Sequence, residues 1–298
     1  MKTLNVAFLV ALTCVIAQAQ TKSMAENTYG LKGPVRTYRI ETATFVNEGS
    51  SYVEGPRVLL SEASFNEDGN RTDLRIYNDK SVLVRRIVMT FEGRRMIEAI
   101  NYDGNGTMWL RIVNQYDDEG RTKGSMTYNG DGSLNSKGVL TRNSRGLVTE
   151  STKHSSKGVL LEQVNMRYDG PKMISQERKV YYPNGSLQLH AVYDALTRRS
   201  EHTTYRTDGS VANKSFRENW DIAQYGADGS LQKVTAISGE HRLVVDEVII
   251  NNDQPATRES ERPDELDEHG NWTKQTKWLT DAKGTRPLKV TYRALTYY

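Results

Sequence analysis

The chain has 298 residues, of which 40 are Lys or Arg and 37 Asp or Glu, for a formal net charge of +3; one residue is cysteine, 37% are hydrophobic and 26% charged. Charges of both signs are interspersed, which argues against a nucleic-acid groove or an anionic-membrane patch. A single cysteine excludes a disulfide-stapled scaffold, and the apolar content lies above that of disordered chains yet is lean for a thick two-layer core.

Residues 1–19 read as a secretory signal peptide. Lys2 supplies the positive start, Leu4 to Ala17 the apolar core, and Ala17-Gln18-Ala19 the small-x-small cleavage site, with Gln20 as the first mature residue. The apolar run of 14 residues is shorter than the roughly 20 needed to cross a bilayer. Cleavage removes Cys14 and Lys2, leaving 39 basic against 37 acidic residues. A lipoprotein is disfavoured because Ala11-Leu12-Thr13 lacks the small residue that normally precedes a lipidated cysteine. Residues 20–28 form a short mature N-terminal segment and 29–298 one repeat domain, with no later apolar stretch long enough to span a membrane.

Residues 35–65 predict a hairpin with a long tip around Asn47 to Pro56. From there aromatic residues recur every 11 to 14 positions: Phe65, Tyr77, Phe91, Tyr102, Tyr116, Tyr128, then Tyr168, Tyr181, Tyr193 and Tyr205. Glycines keep the same time, since Gly106, Gly132 and Gly158 are 26 residues apart, as are Gly120 and Gly146. A fixed period of this size marks a repeat architecture, here a double unit of about 26 residues.

Each half-unit is a turn followed by a strand. In Asp117-Asp118-Glu119-Gly120 the leading Asp can bond the backbone two residues on, and the Gly supplies the positive φ that ends a short hairpin loop. The same chemistry occurs at 66–69, 103–106, 143–146, 183–185, 207–209, 227–229 and 267–270. Between turns the alternation has period two: Met126 runs with Tyr128, and Leu187, Leu189 and Ala191 with Tyr193, whereas Lys123, Ser125, Thr127, Gln188 and His190 read as a wet face. Connections this short join only antiparallel neighbours. The expected fold is therefore all-β, an antiparallel meander of repeated hairpins in a single sheet, curled or closed so that its Tyr and Leu face turns inward. No window shows helical periodicity. Residues 231–250 predict two further strands, Asn251 to Glu268 an exposed loop, and Leu288 to Tyr298 a last strand that seals the sheet.

Reactive constellations are scarce. His154, His190, His202, His241 and His269 are not spaced as zinc ligands. The carboxylate pairs Asp117/Asp118 and Asp267/Glu268 sit where turn capping already explains them, and Asp103-Gly104-Asn105-Gly106 and Asn129-Gly130-Asp131-Gly132 lack the glutamate that would complete a calcium loop. No G-x-S-x-G elbow occurs. The Asn-x-Ser/Thr sequons at Asn70, Asn105, Asn184, Asn213 and Asn271 follow from turn-rich composition. No catalytic, cofactor or metal residue is therefore assigned. Trp109, Trp220, Trp272 and Trp278 are the candidate partner-binding residues, because an exposed indole stacks on a sugar or anchors a partner; the wet face and loops 47–56 and 251–264 are where a partner would land.

Tyr116-Asp117-Asp118-Glu119-Gly120-Arg121 resembles the YD motif of the RHS/YD-repeat superfamily, and Tyr205-Arg206-Thr207-Asp208-Gly209-Ser210-Val211 is similar to the repeat unit of MORN-variant antitoxin-like proteins, both bacterial. The opening segment Tyr29-Gly30-Leu31-Lys32-Gly33-Pro34-Val35 and the closing segment Asp267-Glu268-His269-Gly270-Asn271-Trp272 resemble the two ends of exported RHS-like proteins. Large RHS proteins form β-shells around a toxin; this chain is too short for one, and several repeats are degraded, as at Tyr77 to Ser81 and Tyr193 to Leu196. Export, a repetitive turn framework and the lack of a catalytic constellation together lead to the expectation of an exported, non-enzymatic binding or scaffold module of the periplasm or cell surface, its partner an unknown protein or glycan and not a nucleic acid. An immunity protein that neutralises a toxin is the second reading. A glycan-active enzyme is the third, and it requires two carboxylates on strands in a cleft.

Overall fold

The computed structural model describes residues 30–218, 221–225, 231–237, 244–249, 257–281 and 283–298, with side chains described outside 218–258. Residues 1–29, which include the segment expected to be a signal peptide, the turn at 227–229 and Trp220 lie outside the described residues. Among the described residues every regular element is a strand, in this order: β1 Val35–Glu48, β2 Ser51–Glu54, β3 Val58–Phe65, β4 Arg71–Tyr77, β5 Leu83–Glu92, β6 Arg95–Asp103, β7 Met108–Tyr116, β8 Thr122–Asn129, β9 Leu134–Arg142, β10 Val148–Ser155 and β11 Leu160–Asp169. There follow β12 Lys172–Tyr181, β13 Leu187–Asp194, β14 Arg199–Tyr205, β15 Val211–Glu218, β16 Asp221–Tyr225, β17 Leu231–Ile237, β18 Val244–Ile249, β19 Thr257–Leu266, β20 Trp272–Asp281 and β21 Gly284–Tyr297. From β3 onward each strand pairs antiparallel with the next, as the short connections demand.

One turn chemistry repeats along the meander. At 117–121, Asp117 N–H donates to Arg121 O at 2.9 Å and Gly120 N–H to Asp117 O at 2.9 Å, while Asp117 Oδ1 accepts the Glu119 and Arg121 amides. Gly120 has φ +75°, the left-handed conformation that closes this loop without a Cβ clash. Where the repeat lacks its glycine, other residues take up the same strain: Ser81 at φ 58° and Arg198 at φ 54°. Ser81 recovers part of the cost because its hydroxyl accepts the Leu59 amide at 2.9 Å. Replacing Arg198 with Gly relieves a strained backbone, so R198G is expected to raise stability by about 0.5–1 kcal/mol in urea denaturation.

A β-bulge accompanies nearly every turn. Beside Asn101↔Leu110 stands Tyr102↔Met108, so Trp109 is the extra residue; beside Thr127↔Ser136 stands Tyr128↔Leu134, so Asn135 is the extra one. An inserted residue reverses the phase of all that follows. The row Met89↔Ala99↔Ile112↔Thr127↔Ser136 shares one face, and there Thr127 and Ser136 are buried, as is nearby Ser125. Met126 and Tyr128 lie opposite Val113 and Arg111 on the other face. The inward assignment of Met126 and Tyr128, with Ser125 and Thr127 wet, is thus inverted. On the buried side there is room for small side chains only: a Cβ on Gly138, which stands opposite Ser125, would lie 3.0 Å from Ser125 Oγ. In β13 the expected phase holds better, with Ala191 buried and Gln188 exposed, though Tyr193 is exposed too.

The tip at 47–56 is itself a two-stranded extension, β2 pairing with the end of β1 from Phe45↔Glu54 to Glu48↔Ser51. The exposed loop expected at Asn251 to Glu268 is a strand over Thr257–Leu266. It pairs with β20, and Pro263 is tolerated at a register shift where no ladder donor is needed.

The apolar core gathers where the two ends of the chain meet. β1 lies between β3 and β21, and β21 runs beside it from Val35↔Tyr297 to Thr44↔Lys289. Leu31, Val35, Tyr38, Ala63, Phe65 and Leu74 are buried together against Ile40, Ile76, Ile87, Leu295 and Tyr297; each large side chain here contributes about 1.5–3 kcal/mol by leaving water. A polar clasp holds the same junction. Asn271, only 2% exposed, accepts the Lys32 amide at 2.7 Å and donates to Lys32 O at 2.9 Å and Tyr297 Oη at 2.9 Å. Tyr297 donates to Asp267, and its ring meets that of His269 at 4.2 Å between centroids. Burial, followed by the bond to Asp267, pushes the Tyr297 hydroxyl up to about 12. The opening and closing segments are therefore hydrogen-bonded to each other.

Candidate binding surface

On the face opposite the core, an open depression of about 370 Å³ lies where β1, β3, β4 and β21 run side by side. It is lined by Thr37, Arg39, Glu62, Ser64, Asp73, Arg75 and Thr296. The register explains the composition. Arg39↔Glu62↔Arg75↔Arg86 form one row across four strands, while Tyr38↔Ala63↔Leu74↔Ile87 form the adjacent row on the core side. Two guanidiniums, Arg75 and Arg86, thus stand directly opposite each other, and Asp73 pairs with both, at 3.4 and 2.5 Å.

Glu62 holds the other end. Its Oε1 accepts from Arg39 Nη1 at 2.7 Å and its Oε2 from the Tyr77 hydroxyl at 2.6 Å. Burial first, and then that bond, push the Tyr77 hydroxyl up, so it stays protonated and donating. The bond to Glu41 strengthens the positive charge of Arg39, with Glu62 adding to it. Thr37 and Thr296 hydroxyls meet at 2.6 Å on the floor. The result is a shallow, wet surface with fixed charges of both signs and a pair of hydrogen-bonded hydroxyls.

Glu62 and Asp73 are two carboxylates on strands in a depression, the arrangement a glycan-active enzyme requires. Each is already tied to guanidinium or phenol donors. Among the described carboxyl groups with a resolved shift, Asp117, Asp131, Glu177, Asp194, Asp208, Asp267 and Asp281, every one moves below the usual range.

The predicted tryptophans do not form one site. Trp109, at a bulge in β7, is 45% exposed with the Arg85 guanidinium 5.0 Å from its ring. Trp272 is half-buried under Arg293, whose guanidinium stands 3.9 Å from the ring and donates to Trp272 O at 2.9 Å. Burial brings the Arg293 guanidinium down to about 10. This pair is packing, not a free platform. Trp278 is half-buried at a register shift opposite Pro287. Arg39, Glu62, Asp73 and Arg75 were missed by sequence reasoning; the alternating charges Arg39/Glu41 and Arg71/Asp73/Arg75 were the available signal, but only the register joins them. Among the described residues no three His, Cys, Asp or Glu side chains gather as a metal site.

No protein-family model matches the chain, and no curated protein matches it. Solved structures give weak likeness. A porin-like protein from Bacteroides uniformis ATCC 8492 is 9% identical with a TM-score of 0.36, covering 89% of this chain and 99% of its own. The TcdB2-TccC3 structure is 10% identical with a TM-score of 0.20, covering 79% of this chain, and the TcdB2-TccC3-Cdc42 complex is 10% identical with a TM-score of 0.19, covering 84%. This chain spans about a fifth of the length of those two.

Proposed function

We propose that this is an exported, non-enzymatic β-repeat protein related to the RHS/YD-repeat superfamily, acting as a binding or scaffold module in the periplasm or at the cell surface. The observation that carries the reading is the ion-paired surface on β1, β3 and β4, whose two strand carboxylates are bound by Arg39, Tyr77, Arg75 and Arg86, which supports a recognition surface. The signal-like segment at residues 1–19 supports export, and the YD-like turn at 117–121 supports the family relation. Both faces of the sheet carry charge in mid-strand, Arg39, Glu62 and Arg86 on one and Glu162 and Arg178 on the other, which does not suit a lipid-facing apolar band.

The purified chain is to be offered a panel of glycans and envelope proteins from its host, with binding and turnover followed together. Retention of one component by the native chain but not by R39E/R75E, without turnover, is the expected outcome. Turnover that disappears in E62Q or D73N while the circular dichroism spectrum stays native would overturn the non-enzymatic reading.

A further inference from the structure

Arg85 on β5 differs from three other strand arginines that lie over aromatic rings. Arg95 over Tyr116, Arg111 over Tyr128 and Arg199 over Phe216 each also meet a carboxylate, Glu92, Glu98 and Glu201 respectively. Among the described residues no carboxylate pairs with Arg85. Its Nη2 donates to Asn101 Oδ1 at 2.9 Å, and its Nε is buried without an acceptor. Asp103, directly across from it in the register, spends Oδ1 on the Asn105 and Thr107 amides of its own turn. Arg85 is thus a half-buried cation whose charge the fold leaves uncompensated, and burial disfavours that charge.

Beside it the fold presents an aromatic surface. Trp109 is the inserted residue of the bulge between Asn101↔Leu110 and Tyr102↔Met108, and bulges re-aim side chains out of the regular alternation. The indole is 45% exposed although Arg85 lies 5.0 Å from the ring. Val84, the inserted residue of the preceding bulge, is 44% exposed at the same end of the sheet. A cation lacking a counter-ion, a buried amide that orients it and an exposed indole are the components that recognise a ring with an apolar face and an attached carboxylate.

We propose that Arg85, Asn101 and Trp109 form a subsite for a carboxylated sugar, such as a uronic acid unit of an acidic glycan. The sugar's C–H face stacks on Trp109, and its carboxylate takes Nη1, the guanidinium nitrogen that neither the Asn101 bond nor burial of Nε engages. This deepens the binding-module reading and rests on it.

The test is calorimetric titration of the full chain with an oligogalacturonate, with a neutral oligosaccharide of equal length as control. Binding of the acidic oligomer is expected to weaken at least tenfold in W109A and in R85Q, to survive largely in W109F, and to fall with added salt. W109A changes an exposed side chain, so a folded variant is available even if R85Q is destabilised. No binding by the native chain, equal affinity for the neutral oligomer, or unchanged affinity in W109A overturns the subsite. Envelope components still retained in a manner sensitive to R39E/R75E would show that the subsite has failed while the broader binding function stands.

Discussion

Replacing Asn271 with Ala is expected to lower the stability of the chain by about 3 kcal/mol, with a matching fall in the urea midpoint. The substitution removes a side chain that is 2% exposed and bonds the amide and carbonyl of Lys32, the Tyr297 hydroxyl and the Asp267 carboxylate. Its loss leaves the Lys32 amide and carbonyl without their partner, and a buried polar group without a partner costs more than the bond itself contributed. The damage falls where β1 meets β21, so the contact between the two ends of the chain should loosen first. Hydrogen exchange would then show the amides of 35–44 and 289–297 losing protection before those of β11 to β13. A change below 1 kcal/mol would mean that the clasp is solvated and the core cluster alone holds the junction.

The second large effect is expected in acid. Asp267 is pushed up by burial, but hydrogen bonds from Tyr297, Asn271 and His269 outweigh that and hold its carboxyl below the usual range. Asp117 is lowered chiefly by its bond to Arg121, Asp131 and Asp208 by Ser133 and Ser210, Asp194 by backbone amides of its turn, Asp281 by Arg286, and Glu177 by Lys179 and then His190. A carboxyl whose folded value lies below its unfolded value stabilises the fold at pH above the unfolded value, roughly 4. That contribution is lost as pH falls through the folded values, because the native state must then bind protons it otherwise excludes. Stability should therefore drop steeply below about pH 4, after a smaller decline that starts near the unfolded histidine value of roughly 6.5, because burial holds the His202 imidazole below that value. Urea midpoints across that range read the effect directly. D267N should be less stable at neutral pH and have a shallower acid slope; an equal slope in D267N and the native chain would remove Asp267 from this account.

These two effects meet at residues that were legible in sequence as punctuation only. Asp267-Glu268-His269-Gly270 was visible as one more turn, and the geometry bears that out: Asp267 N–H donates to Asn271 O and Gly270 N–H to Asp267 O. That Asn271 also reaches Lys32, 239 residues away, was not visible. The four tryptophans stood out by type, yet Trp272 is covered by Arg293 and only the bulge at Trp109 produces an exposed indole among the three that are described. The ion-paired depression was invisible for a related reason: Arg39, Glu62, Asp73 and Arg75 are unremarkable one strand at a time.

Local chemistry was enough to assign the strands, the turns and the antiparallel order, because a YD-like turn needs only its own five residues to close and a short loop allows only one kind of pairing. Phase and partnership were decided in three dimensions. Each bulge inserts one residue and sends the following side chains to the other face, so Met126 and Tyr128 face away from the buried row while Ser125, Thr127 and Ser136 lie within it. Contacts between β1 and β21 join residues more than 240 positions apart, and no periodicity within a strand carries information about a neighbour that distant.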